Sequence, residues 1–176
     1  SYDVFIGYEA GAQTKGGTSV GIGRSAGRGS NGVTEYGGTS GSANTSVGYY
    51  AGNYNLGSHN TKIGKEAGFY ATGSHNTFVG SEAGKGGTTS APYSSGEKNT
   101  TIGYEALKVF TTGYNNTILG YRAGYSTTTG NNNVYLGYQA GFRGTTALEN
   151  IAIGPNSQQG VSGQTTGRYN VSLGVN

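Results

Sequence analysis

A short unit of the form Asn-Thr-x-Ile-Gly-x-x-Ala-Gly recurs ten times along this chain of 176 residues. Residues 60–68 and 76–84 are its clearest copies, and residues 116–124 follow the same pattern. Each copy is marked by a glycine that follows an aliphatic residue: Gly7, Gly23, Gly48, Gly64, Gly80, Gly103, Gly120, Gly137, Gly154 and Gly174. Most neighbouring marker glycines are roughly 16–17 residues apart, and a short period of this kind indicates a solenoid. In a solenoid each unit buries its apolar side against the next.

Two regular columns precede the marker glycine. The residue directly before it is always aliphatic, and the residue two positions earlier is always Val, Ile or Thr. Because alternate residues of a strand share one face, we expect a short strand in each unit with both columns facing inward. The residue between them varies widely, from Gly21 to Lys62 and Phe78. We expect this variable column to face solvent or a partner.

The composition also favours many short strands joined by tight turns. The chain has 36 Gly and only 11% charged residues, and its polarity comes mainly from Gly, Asn, Ser and Thr. We predict an all-β fold, a parallel β-solenoid (β-roll or β-helix) of about ten coils. Each coil of roughly 16–17 residues should hold two short strands and two turns, with a small inward Ala at one corner. Residues 1–176 form a single repeat domain, with loop insertions expected near 28–43, 85–98 and 157–168.

An asparagine opens eight of the units. Asparagine is favoured in turns, and amides stacked at one level per coil can form a hydrogen-bonded ladder. We predict a structural ladder from these residues: Asn44, Asn60, Asn76, Asn99, Asn116, Asn133, Asn150 and Asn170.

Tyrosine follows the marker glycine in half of the units. Stacked aromatic side chains can stabilise adjacent coils, and exposed tyrosines also suit sugar stacking or a lateral interface. The sequence leaves these alternatives open for the following residues: Tyr8, Tyr49, Tyr104, Tyr121 and Tyr138.

Residues suited to chemistry are few. His59 and His75 occupy equivalent places in neighbouring units, but Lys98 stands in the same column, which is typical of a solvated turn. The chain has no cysteine, and its one aspartate is too few for a calcium-binding nonapeptide repeat. No set of residues has the pattern of a catalytic site. We therefore predict no enzymatic activity, no cofactor and no metal site.

Two further columns have alternative interpretations. A glutamate two residues after the marker glycine in four units could suggest paired carboxylates, but the column also accepts Ser, Tyr and Arg, so we interpret it as a solvated face. The Thr column could order water as an ice-binding face. Its exchange with Val and Ile places it inward, which argues against that function. These residues are Glu9, Glu66, Glu82 and Glu105, and Thr45, Thr61, Thr77, Thr100 and Thr117.

The expected partners follow from the charge pattern and from the unit boundaries. The net charge of +3 comes from scattered basic residues, which argues against nucleic-acid binding, and no apolar run is long enough to span a membrane. The inner face predicted above would make a thin core of Thr, Ala and Gly, and repeats without caps leave open strand edges. Our leading hypothesis is a secreted, non-enzymatic structural protein that forms an extracellular filament by head-to-tail stacking.

The repeat unit resembles those of bacterial tail-fibre-domain proteins and phage tail fibres. It is similar, less closely, to the Asn-Ser-Val-Ala-Ile-Gly repeats in the heads of trimeric autotransporter adhesins. The resemblance covers nearly the whole chain, from Val4 to Gly174. It implies a homotrimeric fibre on a cell or virion surface that binds proteins or glycans. The alternative hypothesis is therefore a trimeric shaft or receptor-binding segment.

Overall fold

The computed structural model describes residues 2–14, 18–29, 41–87, 93–159 and 167–174. These residues form an all-β parallel β-solenoid without a helix, which confirms the predicted fold class. The strands are β1 (Val4–Ile6), β2 (Val20–Ile22), β3 (Thr45–Val47), β4 (Thr61–Ile63), β5 (Thr77–Val79), β6 (Thr100–Ile102), β7 (Thr117–Leu119), β8 (Val134–Leu136), β9 (Ile151–Ile153) and β10 (Val171–Leu173). The insertions expected near 28–43, 85–98 and 157–168 each lie partly outside the described residues.

All ten strands belong to one parallel sheet and follow one another in chain order. The pairing keeps equivalent repeat positions opposite each other: Thr61 pairs with Thr77, and Ile63 pairs with Val79. The register is unchanged across the longer connection between β2 and β3, where Ile22 pairs with Val47. Each sequence column is therefore a straight row of side chains along the solenoid.

The prediction of a second strand in each coil is wrong for the described residues. Outside the ten strands, the parallel pairing is limited to isolated bridges, such as Ala71 with Ser94 and Asn131 with Leu148. Non-glycine residues adopt the left-handed conformation at several corners of the coil. In one coil these are His59, with φ of 60°, and Glu66, with φ of 55°.

The predicted orientation of the strand residues is also wrong. The residues expected to face inward lie on the surface, and the residue expected to face outward is buried. The variable middle residue is buried, and Lys62, Phe78 and Tyr135 are completely inaccessible to solvent. The regular flanking residues face outward, with Ile102 42% exposed and Leu119 48% exposed. The asparagine at the start of each unit sets this alternation. Because its side chain lies inside the coil, the residue two positions later must also lie inside.

The interior is larger and more varied than the expected core of Thr, Ala and Gly. Its buried hydrophobic residues include the corner alanines together with Phe78, Leu107, Phe110, Ile118 and Tyr135. The rings of Phe78 and Phe110 lie 5.5 Å apart inside neighbouring coils. The missing side chain of Gly21 leaves space for the Phe5 ring of the neighbouring coil, whereas Lys62 and Phe78 are both large and lie in adjacent coils.

The marker glycines from Gly7 to Gly154 have no space for a side chain. A Cβ atom on Gly80 would lie 2.5 Å from the carbonyl oxygen of Gly103, and the φ of Gly80 is +131°. Only glycine adopts this conformation readily and allows so close an approach of the next coil. This explains why the marker position is invariant within the chain.

Candidate functional site: the outward strand face

The outward residues of the ten strands form one continuous surface, which we call the strand face. Its first row contains Val4, Val20, Thr45, Thr61, Thr77, Thr100, Thr117, Val134, Ile151 and Val171. Its second row contains Ile6, Ile22, Val47, Ile63, Val79, Ile102, Leu119, Leu136, Ile153 and Leu173. Neither row contains a charged residue, and the second row is entirely aliphatic.

The strand face is accessible in the single chain. Ile63, Ile102, Leu119, Ile151 and Ile153 are all between 38% and 48% exposed. Scattered exposed apolar residues are common on proteins, but a long contiguous apolar patch usually marks an interaction site. The regular columns of the sequence thus form a surface and not a core.

The predicted ladder asparagines lie beside this sheet and hold its backbone. The backbone N–H of Asn60 donates a hydrogen bond of 2.9 Å to Oδ1 of Asn44, and Asn76 bonds to Asn60 in the same way. The Asn116 side-chain amide donates to Oδ1 of Asn99 at 3.0 Å and across the coil to the carbonyl oxygen of Gly130 at 2.9 Å. Seven of these asparagines are at most 2% exposed: Asn44, Asn60, Asn76, Asn99, Asn116, Asn133 and Asn150.

Asn170, in the last described coil, is exposed, but it makes the same contacts to the preceding coil. Its backbone and side-chain nitrogens both lie 2.9 Å from Oδ1 of Asn150. Backbone groups at the start of each strand are thus bonded inside the chain, and the strand face presents uncharged aliphatic and Thr side chains.

The predicted tyrosines lie along one border of the strand face, directly after the marker glycines. The rings of Tyr104 and Tyr121 are 5.4 Å apart and inclined by 13°, and those of Tyr121 and Tyr138 are 5.2 Å apart and inclined by 5°. Tyr8 and Tyr49 are separated by one coil, and the guanidinium of Arg24 lies 5.7 and 5.8 Å from their ring centres.

The tyrosine row therefore has two parts, interrupted by Lys65 and Ser81. In the stacked part, the ring faces are turned toward one another, and the edges and hydroxyl groups remain for outside contacts. This arrangement favours a role in coil stacking or at the border of an interface over sugar stacking, which needs a free ring face.

The opposite border contains the residues that precede the ladder asparagines. His59 and His75 are exposed, with parallel rings 4.9 Å apart. Among the described residues, no group of three or more His, Cys, Asp or Glu side chains is arranged to hold a metal ion. The stacked histidines therefore lie beside the strand face without further ligands of these types.

The glutamates that we interpreted as a solvated face belong to a row of ion pairs, which we did not predict from the sequence. The Lys85 ammonium lies 2.6 Å from Glu66 and 3.2 Å from Glu82, and Lys108 lies 2.9 Å from Glu82 and 2.7 Å from Glu105. Lysines three residues after Glu82 and Glu105 were the available sequence signal. Burial alone would raise the pKa of Glu105, but its hydrogen bonds to Lys108 and Arg122 outweigh that effect and lower it.

Lys62 was also missed as a special residue. Its ammonium nitrogen is fully buried inside the coil and donates to Asn55 Oδ1 at 3.1 Å and to the Ala71 carbonyl oxygen at 2.8 Å. Burial lowers the pKa of Lys62 from its ordinary value to about 7. A single lysine in a variable column gives no sequence signal of burial.

A small depression lies at a corner of the solenoid, lined by Ser95, Gly96, Glu97, Lys98, Thr112 and Tyr114. Its volume is about 160 Å³. Small-molecule sites usually measure roughly 300–1,000 Å³. The depression is thus too small and too open to suggest a substrate site.

Neither a family model, nor a curated protein, nor a solved structure matches this chain. The described part of the chain also has no helix that is long and apolar enough to cross a membrane. The strand face runs along all ten strands of the described solenoid.

Proposed function

We propose that this chain is a non-enzymatic structural segment of an extracellular fibre, and that three copies associate side by side through their strand faces. The continuous, uncharged strand face carries this proposal. A monomer would expose an aliphatic row along the whole solenoid, which is unfavourable in water. A second copy of the same chain has a surface of matching chemistry and identical spacing.

The available burial is large enough for stable association. Fully burying an aliphatic side chain contributes roughly 1.5–3 kcal/mol. Ile102 and Leu119 are already about half covered, so completing their burial contributes roughly 1 kcal/mol each. Ten strands provide two outward residues each. Fifteen of these residues are aliphatic and together provide roughly 15 kcal/mol per copy, which reaches the upper end of the roughly 4–15 kcal/mol that association typically costs in lost translational and rotational freedom.

The shape of the face favours copies whose long axes run parallel. Each strand contributes only two outward residues, so the face is long and narrow. Three such faces around one axis would enclose an uncharged centre of aliphatic and Thr side chains, with six side chains per level. In this arrangement β7 of one copy would lie at the height of β7 in the others, so the Thr and aliphatic rows would match throughout. The resemblance to tail fibres and adhesin heads supports three copies and an extracellular location.

Head-to-tail stacking, the leading hypothesis from the sequence, would use different surfaces. It would pair the free edges of β1 and β10, and it is compatible with side-by-side association. Side-by-side association has the stronger physical support, because the strand face is unpaired along the whole described solenoid. Protein or glycan receptors, which the resemblance implies, would bind outside the strand face.

Light scattering coupled to size-exclusion chromatography tests the proposed association. A single chain has a mass of 17.9 kDa. A particle with three times that mass, independent of dilution over the accessible range, is the expected result. A monomer would contradict the proposal, a dimer would contradict its stoichiometry, and long polydisperse particles would favour head-to-tail stacking.

A second candidate function is favoured by the same outward rows. The argument against ice binding was that the Thr column faces inward, and this is wrong. The outward face of the parallel sheet carries a row of threonines beside the aliphatic row, where hydroxyl and aliphatic groups could order water: Thr45, Thr61, Thr77, Thr100 and Thr117. This function requires a free strand face and therefore a monomer. Thermal hysteresis from a monomeric sample would establish it, and a trimer without hysteresis would exclude it.

A further inference from the structure

The exposed tyrosine stack holds phenol groups that are both accessible and close together, and coil stacking alone does not require accessible phenols. Tyr104, Tyr121 and Tyr138 are 43%, 39% and 50% exposed, so their phenol groups are accessible to reagents in solution. Their rings are nearly parallel, with centres 5.2–5.4 Å apart. The β6–β7 and β7–β8 pairing holds neighbouring coils in register, so the fold itself places these rings side by side.

The composition of the chain directs oxidation to tyrosine. Sulfur side chains and indole rings are the usual targets of mild oxidants, and this chain has no Cys, Met or Trp. It has 15 Tyr. A one-electron oxidant that meets this protein will therefore react mainly at phenol groups.

We propose that Tyr104, Tyr121 and Tyr138 form an oxidative cross-linking site, at which a haem peroxidase using hydrogen peroxide joins rings of neighbouring coils as dityrosine. The site requires only the folded solenoid, and it does not depend on side-by-side association. A chain without cysteine cannot form disulfides, and this reaction would provide an alternative covalent link between coils.

The reaction balances with the named oxidant. Each of two phenols loses one electron and one proton to the peroxidase, and the two tyrosyl radicals join through a new carbon–carbon bond between their ortho positions. Each ring then moves its ortho hydrogen to the phenol oxygen and becomes aromatic again. One hydrogen peroxide is reduced to two water molecules, and the protein becomes two hydrogen atoms lighter.

The charges around the stack do not oppose the reaction. The Arg122 guanidinium lies 5.3 Å from the Tyr121 ring centre, and a nearby cation would disfavour loss of an electron. Arg122 is also hydrogen-bonded to the Glu105 carboxylate, which offsets its charge. The same ion pair links neighbouring coils and keeps the two backbones in place beside the stack.

The position of Tyr121 provides a sharp test. It is the middle ring, so both neighbouring pairs include it, whereas Tyr104 and Tyr138 are two coils apart. Tyr121→Phe keeps the stacked ring and removes the phenol. Tyr114→Phe is the matched control, because Tyr114 is 44% exposed and lies outside the stack.

The experiment treats a dilute solution of the 176-residue chain with horseradish peroxidase and hydrogen peroxide, followed by digestion and sequencing of cross-linked peptides. Links joining Tyr104 to Tyr121 or Tyr121 to Tyr138, with the dityrosine fluorescence, are expected in the wild type and in Tyr114→Phe. Tyr121→Phe should lose both links and keep its circular dichroism spectrum. Equal dityrosine in Tyr121→Phe, or links confined to other tyrosines or to different chains, would overturn the proposal.

The outcome is independent of the oligomeric state. A monomer by light scattering would refute side-by-side association and leave the cross-links within one chain unchanged. Absence of these cross-links in a trimer of the expected mass would refute only the cross-linking site.

Discussion

The ammonium nitrogen of Lys62 donates a 2.8 Å hydrogen bond to the carbonyl oxygen of Ala71 inside the solenoid. The side chain therefore spans the coil interior, where its nitrogen also contacts Asn55. Such a position is costly for a charged group, because the interior replaces water with only a few polar partners.

This burial makes the stability of the protein depend on pH. Burial lowers the pKa of Lys62 in the folded state from 10.5 to about 7, while the unfolded chain keeps the ordinary value. Between these values the unfolded state binds the extra proton, so the free energy of unfolding rises with pH. From pH 7 to pH 9 we expect a gain of about 2 kcal/mol.

Urea unfolding at pH 7, 8 and 9 measures this gain. Lys62→Met keeps the length of the side chain and removes the titrating group, so its free energy of unfolding should be nearly constant over the same range. A variant with the wild-type pH slope would show that another group is responsible.

The asparagine ladder should be among the most sensitive parts of the fold. Asn116→Ala leaves the Gly130 carbonyl oxygen and the backbone N–H of Asn133 without their side-chain partners. Each unsatisfied buried group costs roughly 1–3 kcal/mol. We expect the free energy of unfolding to fall by about 2–5 kcal/mol in denaturant titrations.

The adjacent Asn115 provides the control for this substitution. It is exposed and has a φ of 55°, which glycine accepts readily. Asn115→Gly should therefore change the free energy of unfolding by less than about 1 kcal/mol. Equal losses of unfolding free energy in the two variants would show that a ladder asparagine stabilises the protein no more than an exposed turn residue does.

Two neighbouring threonines distinguish the inside of the strand from the outside. Thr101 is completely buried, and Thr100 is exposed on the strand face. Thr101→Asp places a carboxylate in the interior and should cost about 3 kcal/mol or more, or prevent folding. Thr100→Asp should keep the circular dichroism spectrum and weaken self-association. If Thr100→Asp prevented folding and Thr101→Asp did not, the strand orientation expected from the sequence columns would be correct.

The strand positions could be predicted from the sequence, because the marker glycine and the two regular columns repeat in every unit. All ten strands begin at the β-branched residue and end at the aliphatic residue of these columns. The orientation was wrong because regularity was interpreted as burial. A buried position here needs only to fit its two neighbours: a Cβ atom on Gly21 would lie 2.7 Å from the ring of Phe5, so the absent side chain of one coil makes space for the other.

Other features depend on contacts that single columns do not show. The burial of Lys62 depends on Asn55 and Ala71, which are 7 and 9 residues away in the chain. The ion-pair row depends on lysines and glutamates that belong to different coils, such as Lys108 and Glu82. The expected second strand is reduced to isolated bridges, such as Ala71 with Ser94.

In the proposed assembly, the strand face holds copies of the chain together. Leu119→Lys places a charge in the aliphatic row of β7, and Thr129→Lys places the same charge on the same coil at an exposed residue outside the strands. Light scattering with size-exclusion chromatography measures the mass of each variant, and circular dichroism checks the fold. We predict that Leu119→Lys becomes a folded monomer with the single-chain mass of 17.9 kDa, while Thr129→Lys remains a particle with three times that mass. Two folded variants of identical mass would contradict the claim.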